Sequence, residues 1–141
     1  MKVYLDSGAF PPAKAHPSDA GYDLRTPIDF FVYPNGGCYL IDTGIHVEIP
    51  EGMYGKIESK SGLAVFNGVL APMGVIDSNY RGPIKVLLYN HGKGKKYFKA
   101  GDKICQLILH RYADEPIEIV KSLDAMTDTD RGSKGFGSTG R

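Results

Sequence analysis

Residues 38–50 read CYLIDTGIHVEIP. Ile41, Thr43, Ile45, Val47 and Ile49 take every second position, with Asp42, His46 and Glu48 between them. Successive side chains on extended backbone point to opposite faces, so a period of two predicts a strand with one face toward a core and one toward water. The pattern recurs in MYGKIES (53–59), where Met53 and Ile57 alternate with Tyr54, Lys56 and Glu58. PIKVLLYN (83–90), KICQLILHRY (103–112) and PIEIV (116–120) are rich in Ile, Val, Leu and Tyr and also read as strands. Turn chemistry separates them: YPNGG at 33–37, PEG at 50–52, NHGKGKK at 90–96 and KAGD at 99–102. Many short strands, 18 glycines and 9 prolines predict an all-β domain, an antiparallel sandwich or barrel.

One helix is expected, SGLAVFN at 61–67, with Ser59 or Ser61 as its N-cap and Gly68 as its stop. The lysines of KGKK, 93–96, read as a solvated hairpin tip. With 141 residues and no internal repeat, a single domain large enough for a core without disulfides is expected. Residues 1–121 form that domain, 122–130 read as a linker, and 131–141 as a flexible glycine-rich arm. A net charge of +1 argues against a general nucleic-acid binder, which carries a strongly basic face. Cys38 and Cys105 are too few for a disulfide scaffold and fit no metal spacing, so both read as buried thiols in a reducing compartment. MKVYLDSGAF has no signal-peptide core and no apolar run reaches membrane-span length. A cytoplasmic protein with no membrane partner is the expectation.

Four internal segments carry candidate chemistry. SKSGLA (59–64) opens a helix with backbone N–H groups, a hydroxyl and Lys60, which is either a plain cap or an anion site. GVIDSNYRG (74–82) sets Asp77 at the end of an apolar stretch, as a base that holds a water or as an Asx-type turn residue. AGYDL (20–24) offers Asp23, and GDKICQLIL (101–109) puts Gln106 in an apolar strand where its amide needs a partner, from a loop or from a ligand. His16, His46, His91 and His110 sit in unrelated contexts and receive no role. With no metal cage and no Ser–His pair, this inventory suits phosphate chemistry on a ligand that brings its own Mg²⁺.

Together with the terminal RGSKGFGSTG (131–140), these segments occur in the order and approximate spacing of the five motifs of the trimeric dUTPases, which the chain resembles over about residues 20–140. The resemblance implies a jelly-roll-like antiparallel β domain, the dUTPase β-clip, assembled as a homotrimer with active sites between subunits. It implies hydrolysis of dUTP to dUMP and pyrophosphate, which keeps uracil out of DNA and supplies dUMP for dTTP synthesis. Asp77 then corresponds to the carboxylate that orients the attacking water, and Tyr80 to the ring that packs on the deoxyribose and excludes a 2′-hydroxyl. Residues 71–74, from Ala71 to Gly74, with Ile76 following, match the hairpin whose backbone pairs with the uracil edge. Lys60, Ser61 and Gly62 match the phosphate-binding helix start, Gln106 a phosphate contact, and Asp23 a carboxylate that reaches Mg²⁺ through water without ligating it.

The arm corresponds to a lid that closes over a neighbouring subunit's site. Phe136 would stack on uracil, while Arg131, Ser138, Thr139 and the N–H groups of Gly135 and Gly137 would wrap the β- and γ-phosphates. Ordering such a chain costs about 1–2 kcal/mol per residue, so closure would report a bound triphosphate. The implied reaction is in-line attack of the Asp77-held water on the α-phosphorus, with Mg²⁺, the arm and the Ser61 hydroxyl on the leaving pyrophosphate. Four positions depart from the family pattern. Lys60 and Lys103 stand where arginine is common, Asn79 where a second aspartate is usual, and Lys134 where glycine is common, to add a phosphate contact or stiffen the lid. Two other classes share the scaffold: a nucleotide-sensing regulatory binder, and a dCTP deaminase, whose glutamate and arginine pattern is not found here.

Overall fold

The computed structural model describes residues 1–72 and 74–135. Among these residues eleven short strands, one α-helix and a closing 3₁₀ turn (Leu123–Ala125) follow in order: β1 (Lys2–Leu5), β2 (Gly21–Arg25), β3 (Phe30–Val32), β4 (Gly37–Asp42), β5 (Ile45–Glu48), β6 (Met53–Glu58), α1 (Ser61–Asn67), β7 (Val69–Leu70), β8 (Val75–Ile76), β9 (Lys85–Asn90), β10 (Lys96–Phe98) and β11 (Lys103–Arg111). Every strand pairing is antiparallel. The strands form four small sheets, β1-β5, β10-β3, β2-β11-β6-β8 and β4-β9-β7, around one apolar core. The all-β, jelly-roll-like expectation holds.

The alternation in residues 38–50 builds that core. Ile41, Thr43, Ile45, Val47 and Ile49 are all buried, while Asp42 is exposed and His46 and Glu48 are half-buried. The stretch is nevertheless two strands. It turns at Thr43–Gly44, so β4 pairs with β9 and β5 with β1, a corner at which one chain passes between sheets while its inward face stays inward. Thr43, polar but on the core face, is satisfied there: its hydroxyl donates to the Ile84 carbonyl at 2.7 Å. Phe30 stacks between Phe98 and Tyr39, with ring centroids 4.8 and 4.7 Å away.

Three local expectations are corrected. Residues 116–120 are not a strand. They have no ladder partner, and Ile117 and Ile119 are about nine-tenths exposed, because β11 already has β2 and β6 on its two edges. Cys38 is exposed, since it lies in the outer half of β4; Cys105 is buried, and burial pushes its thiol far above the usual range. The helix spans the predicted residues and stops at Gly68, whose φ of 66° a side chain would oppose. Its N-cap is Lys60, with no side-chain cap, because the Ser59 hydroxyl is occupied elsewhere, accepting from the Ala71 N–H at 2.8 Å.

Candidate functional site

Strand β6 is the ruler along which the site residues are set out. At one end Glu58 lies level with Gln106 of β11, which in turn faces Asp23 of β2. Three predicted residues therefore converge from separate parts of the chain. Lys60, just past β6, donates to one oxygen of Asp23 at 2.5 Å, and Lys103 pairs with the other at 2.6 Å. The Asp23 side chain is only 9% exposed. Burial alone would raise its pKa, but hydrogen bonds and charge from Lys103 and Lys60 outweigh that, and the carboxyl sits below its ordinary value. Two ammoniums against one carboxylate leave the cluster with a net positive charge, as an anion site requires.

The Gln106 amide donates to the Ser59 carbonyl at 3.3 Å, so the loop partner is realised. A Cβ on Gly21 would collide with Gln106 Oε1; the glycine of AGYDL makes room for that side chain. Ser61 and Gly62 open α1 beside this cluster, both on the surface.

The hairpin segment then runs down β6. Ala71 is tied to Ser59, the Gly74 carbonyl accepts from Ile57 N–H at 2.8 Å, and Ile76 lies level with Gly55. Gly74 has a φ of 138°, and a Cβ there would stand 2.8 Å from Ile57 Cγ1, so only glycine fits this close pass. Asp77 comes next, level with Tyr54. At about 3.3 Å per residue this is about 13 Å along β6 from Glu58. Asp77 lines a cavity of about 470 Å³ with Met53, Tyr54, Lys56, Val75 and Tyr112. None of the described phosphate-end residues, Asp23, Lys60, Ser61 and Gln106, lines this cavity.

Residues 77–83 form a turn that bonds mainly to itself. Tyr80 N–H donates to the Asp77 carbonyl at 3.1 Å, Tyr80 Oη to Pro83 at 3.1 Å, and the Arg81 guanidinium to the Ser78 and Tyr80 carbonyls at 2.7 and 2.9 Å. Tyr80 is two-fifths exposed and its ring is open to a ligand.

Of the arm, Arg131 and Gly135 are described and exposed; Arg131 Nε donates to the Lys134 carbonyl at 3.0 Å. The assignments to Phe136, Gly137, Ser138 and Thr139, and Met73 within the hairpin, lie outside the described residues. Among the described residues no group of three His, Cys, Asp or Glu could hold a metal ion. The sequence reading missed the lysine clamp on Asp23, because nothing in the one-dimensional pattern brings 23, 60 and 103 together. It also passed over His46, whose outward place in β5 was legible but not its partners.

The dUTPase family model matches residues 9–140. The chain is 41% identical to the deoxyuridine 5′-triphosphate nucleotidohydrolase of Yarrowia lipolytica over 99% of its own length and 88% of the relative's. It is 43% identical to the probable deoxyuridine 5′-triphosphate nucleotidohydrolase of Schizosaccharomyces pombe, over 96% and 94% of the two chains. Its fold superposes on the dUTPase of Staphylococcus bacteriophage 80alpha, solved with dUPNHPP, at a TM-score of 0.89 and 25% identity, covering 99% of this chain and 98% of that one. The fold and the ordered motifs define a β-clip nucleotide hydrolase class, and the chain belongs to the dUTPase family.

Proposed function

We infer that this protein is a dUTP diphosphatase that hydrolyses dUTP to dUMP and pyrophosphate. The observation that carries the reading is the division of the site. A positively charged, partly buried cluster with Lys60, Ser61 and Gln106 sits at one end of β6, and a turn with Asp77 and Tyr80 sits at the other. A base must come within about 3 Å of the proton it takes. Asp77 therefore cannot steer a water onto a triphosphate seated on its own chain's Lys60. The two halves work together across a subunit interface, which supports assembly as a homotrimer. Val75, 64% exposed beside Asp77, and the bare Ile117 and Ile119 supply apolar surface for such contacts.

In that assembly the Asp77 carboxylate orients and deprotonates a water for in-line attack on the α-phosphorus. The new P–O bond forms as the bond to the bridging oxygen of pyrophosphate breaks, and the leaving charge falls among Lys60, the Ser61 hydroxyl, Gly62 N–H and Gln106. The hairpin backbone at Ala71, Gly74 and Ile76 reads the uracil edge, and Tyr80 packs on the sugar. The donor set fits Mg²⁺ as an ion held mainly by phosphate oxygens and water, with Asp23 in its outer sphere. When bound it would offset phosphate charge. Residues 131–141 act as the lid, with Phe136 on the base and Arg131, Gly135, Gly137, Ser138 and Thr139 on the phosphates. Among the described residues no helix is long and apolar enough to cross a membrane; a cytoplasmic setting suits the nucleotide substrate.

Pyrophosphate release from dUTP, UTP, dTTP and dCTP with Mg²⁺ tests the reading, with release from dUTP alone expected. Ammonia from dCTP would favour a deaminase, and tight dUTP binding without turnover would favour a nucleotide sensor. Truncation after Asp130 should leave a folded protein whose kcat is severely reduced; unchanged kcat would remove the lid from the account.

A further inference from the structure

His46 lies on the outward face of β5, 23% exposed at its side chain, between the N-terminal segment and the turn that carries Asp77 and Tyr80. Its Nδ1 is 2.7 Å from the Arg81 carbonyl oxygen and its Nε2 is 3.2 Å from Asp6 Oδ2. Both partners are acceptors only: a carbonyl has no proton, and an ionised carboxylate has none. Only a ring that donates from both nitrogens, an imidazolium, satisfies both acceptors at once. Tyr4 meets the ring edge-on with centroids 5.5 Å apart.

From these contacts we propose that His46 is a positioning residue for the reaction, whose imidazolium clamps the Asp77–Tyr80 turn to both β5 and the N-terminal segment and whose deprotonation loosens that clamp, because a neutral ring donates from only one nitrogen. Among the described residues it supplies the only side-chain hydrogen bond that reaches residues 77–83 from outside that turn. The bond falls on Arg81, one residue beyond Tyr80, whose carbonyl the Arg81 guanidinium already holds. Backbone bonds hold the turn at its two ends; at the exit Ile84 N–H donates to the Ile45 carbonyl at 2.8 Å. The entry is anchored by the β6–β8 ladder at Gly55–Ile76. Without the clamp, residues 77–83 keep their internal bonds but lose their side-chain tether to β5.

The charged surroundings favour the protonated ring. Asp6 faces it from the N-terminal segment and Asp42 acts on it from the end of β4, while Lys2, Glu48 and Arg81 line the same shallow cleft, with Glu48 paired to Lys2 at 2.9 Å. The Arg81 carbonyl first, and then the Asp6 carboxylate, hold the imidazole above its ordinary value. A raised value means the doubly donating clamp is complete below about pH 6.5, the ordinary histidine value, and is reduced to a single bond as pH rises through the raised one.

The role in catalysis rests on the reading of Asp77 and Tyr80 given above; the clamp itself does not. Two readouts separate them. Nitrogen-15 spectra of the histidines in the intact protein should show His46 titrating above the ordinary histidine value, protonated at both nitrogens below its midpoint, with a midpoint that Asp6→Asn lowers. Amide exchange in residues 77–82 should be faster in His46→Gln. With dUTP, His46→Gln should lower kcat roughly tenfold, the scale of one charge-assisted hydrogen bond. It should also abolish the alkaline fall that wild type shows at the His46 midpoint, and Asp6→Asn should move that fall down by the same shift seen in the spectra. A His46 midpoint at or below the ordinary histidine value, or unchanged exchange in His46→Gln, overturns the clamp even if the enzyme is inert toward dUTP. A clamp seen in the spectra with an unaltered rate profile in both variants overturns the positioning role.

Discussion

Asp23 lies in the middle of β2 and Asp77 just past the end of β8, and their surroundings divide their work. Asp23 is buried and answered by two lysines, whereas Asp77 opens onto a cavity walled by Tyr54, Val75 and Tyr112. Asp77→Asn keeps size and polarity and removes the base, so kcat should fall by about 10²–10⁴-fold while dUTP affinity is kept, as single-turnover rates and calorimetry would show. Asp23→Asn should act on stability. The depressed folded value means that the ion pairs stabilise the protein above the carboxyl's unfolded value, about pH 3.9, and that this is lost as pH falls through the folded one. Discounted for the partly exposed lysines, the difference between wild type and variant should be about 1–2 kcal/mol in urea unfolding at pH 7. At fixed protein concentration it should shrink toward zero in strong acid. A gap that persists there would mean the lysines are not the source. The lysine–aspartate clamp also gives Lys60 and Lys103 a physical role of their own where arginine is common in the family: compact ammonium groups that each take one oxygen of a single carboxylate.

Strand β6 and the segment that descends it form the next level of organisation. The hairpin proposed to read uracil is only two paired residues long at β8, and the close pass of Gly74 over Ile57 keeps it flush with the sheet. Gly74→Ala should leave the fold intact but push the hairpin off β6, raising KM for dUTP more than it lowers kcat. A KM unchanged from wild type would detach the hairpin from base recognition. The failed strand at 116–120 and the well-predicted helix at 61–67 make a useful contrast. The helix closes its own hydrogen bonds and carries its own glycine stop, so local sequence suffices. A strand needs a partner, and PIEIV has the composition of a strand but pairs with none: the strand it follows, β11, already has neighbours on both sides.

Across the molecule, a site shared between chains has a measurable consequence. Chains carrying Asp77→Asn and chains carrying Ser61→Ala should each be inactive alone. Refolded together, they should regain about one quarter of the wild-type activity, because in a head-to-tail ring some sites draw Asp77 from one variant and Ser61 from the other. No recovery in mixed oligomers of confirmed composition would place both halves in one chain.

Composition and alternation were enough to establish an all-β fold, the buried face of residues 41–49, the helix with its stop, and the ordered motifs that mark the family. These are local or linear properties, governed by backbone period and turn chemistry. The fold in three dimensions decided the rest: the corner that sends β4 and β5 to different sheets, the lysines that take both oxygens of Asp23, the separation of Asp77 from Lys60 along β6, and the two acceptors that face the ring nitrogens of His46. Each joins residues tens of positions apart, and no periodicity along a chain encodes which distant strand will supply the partner.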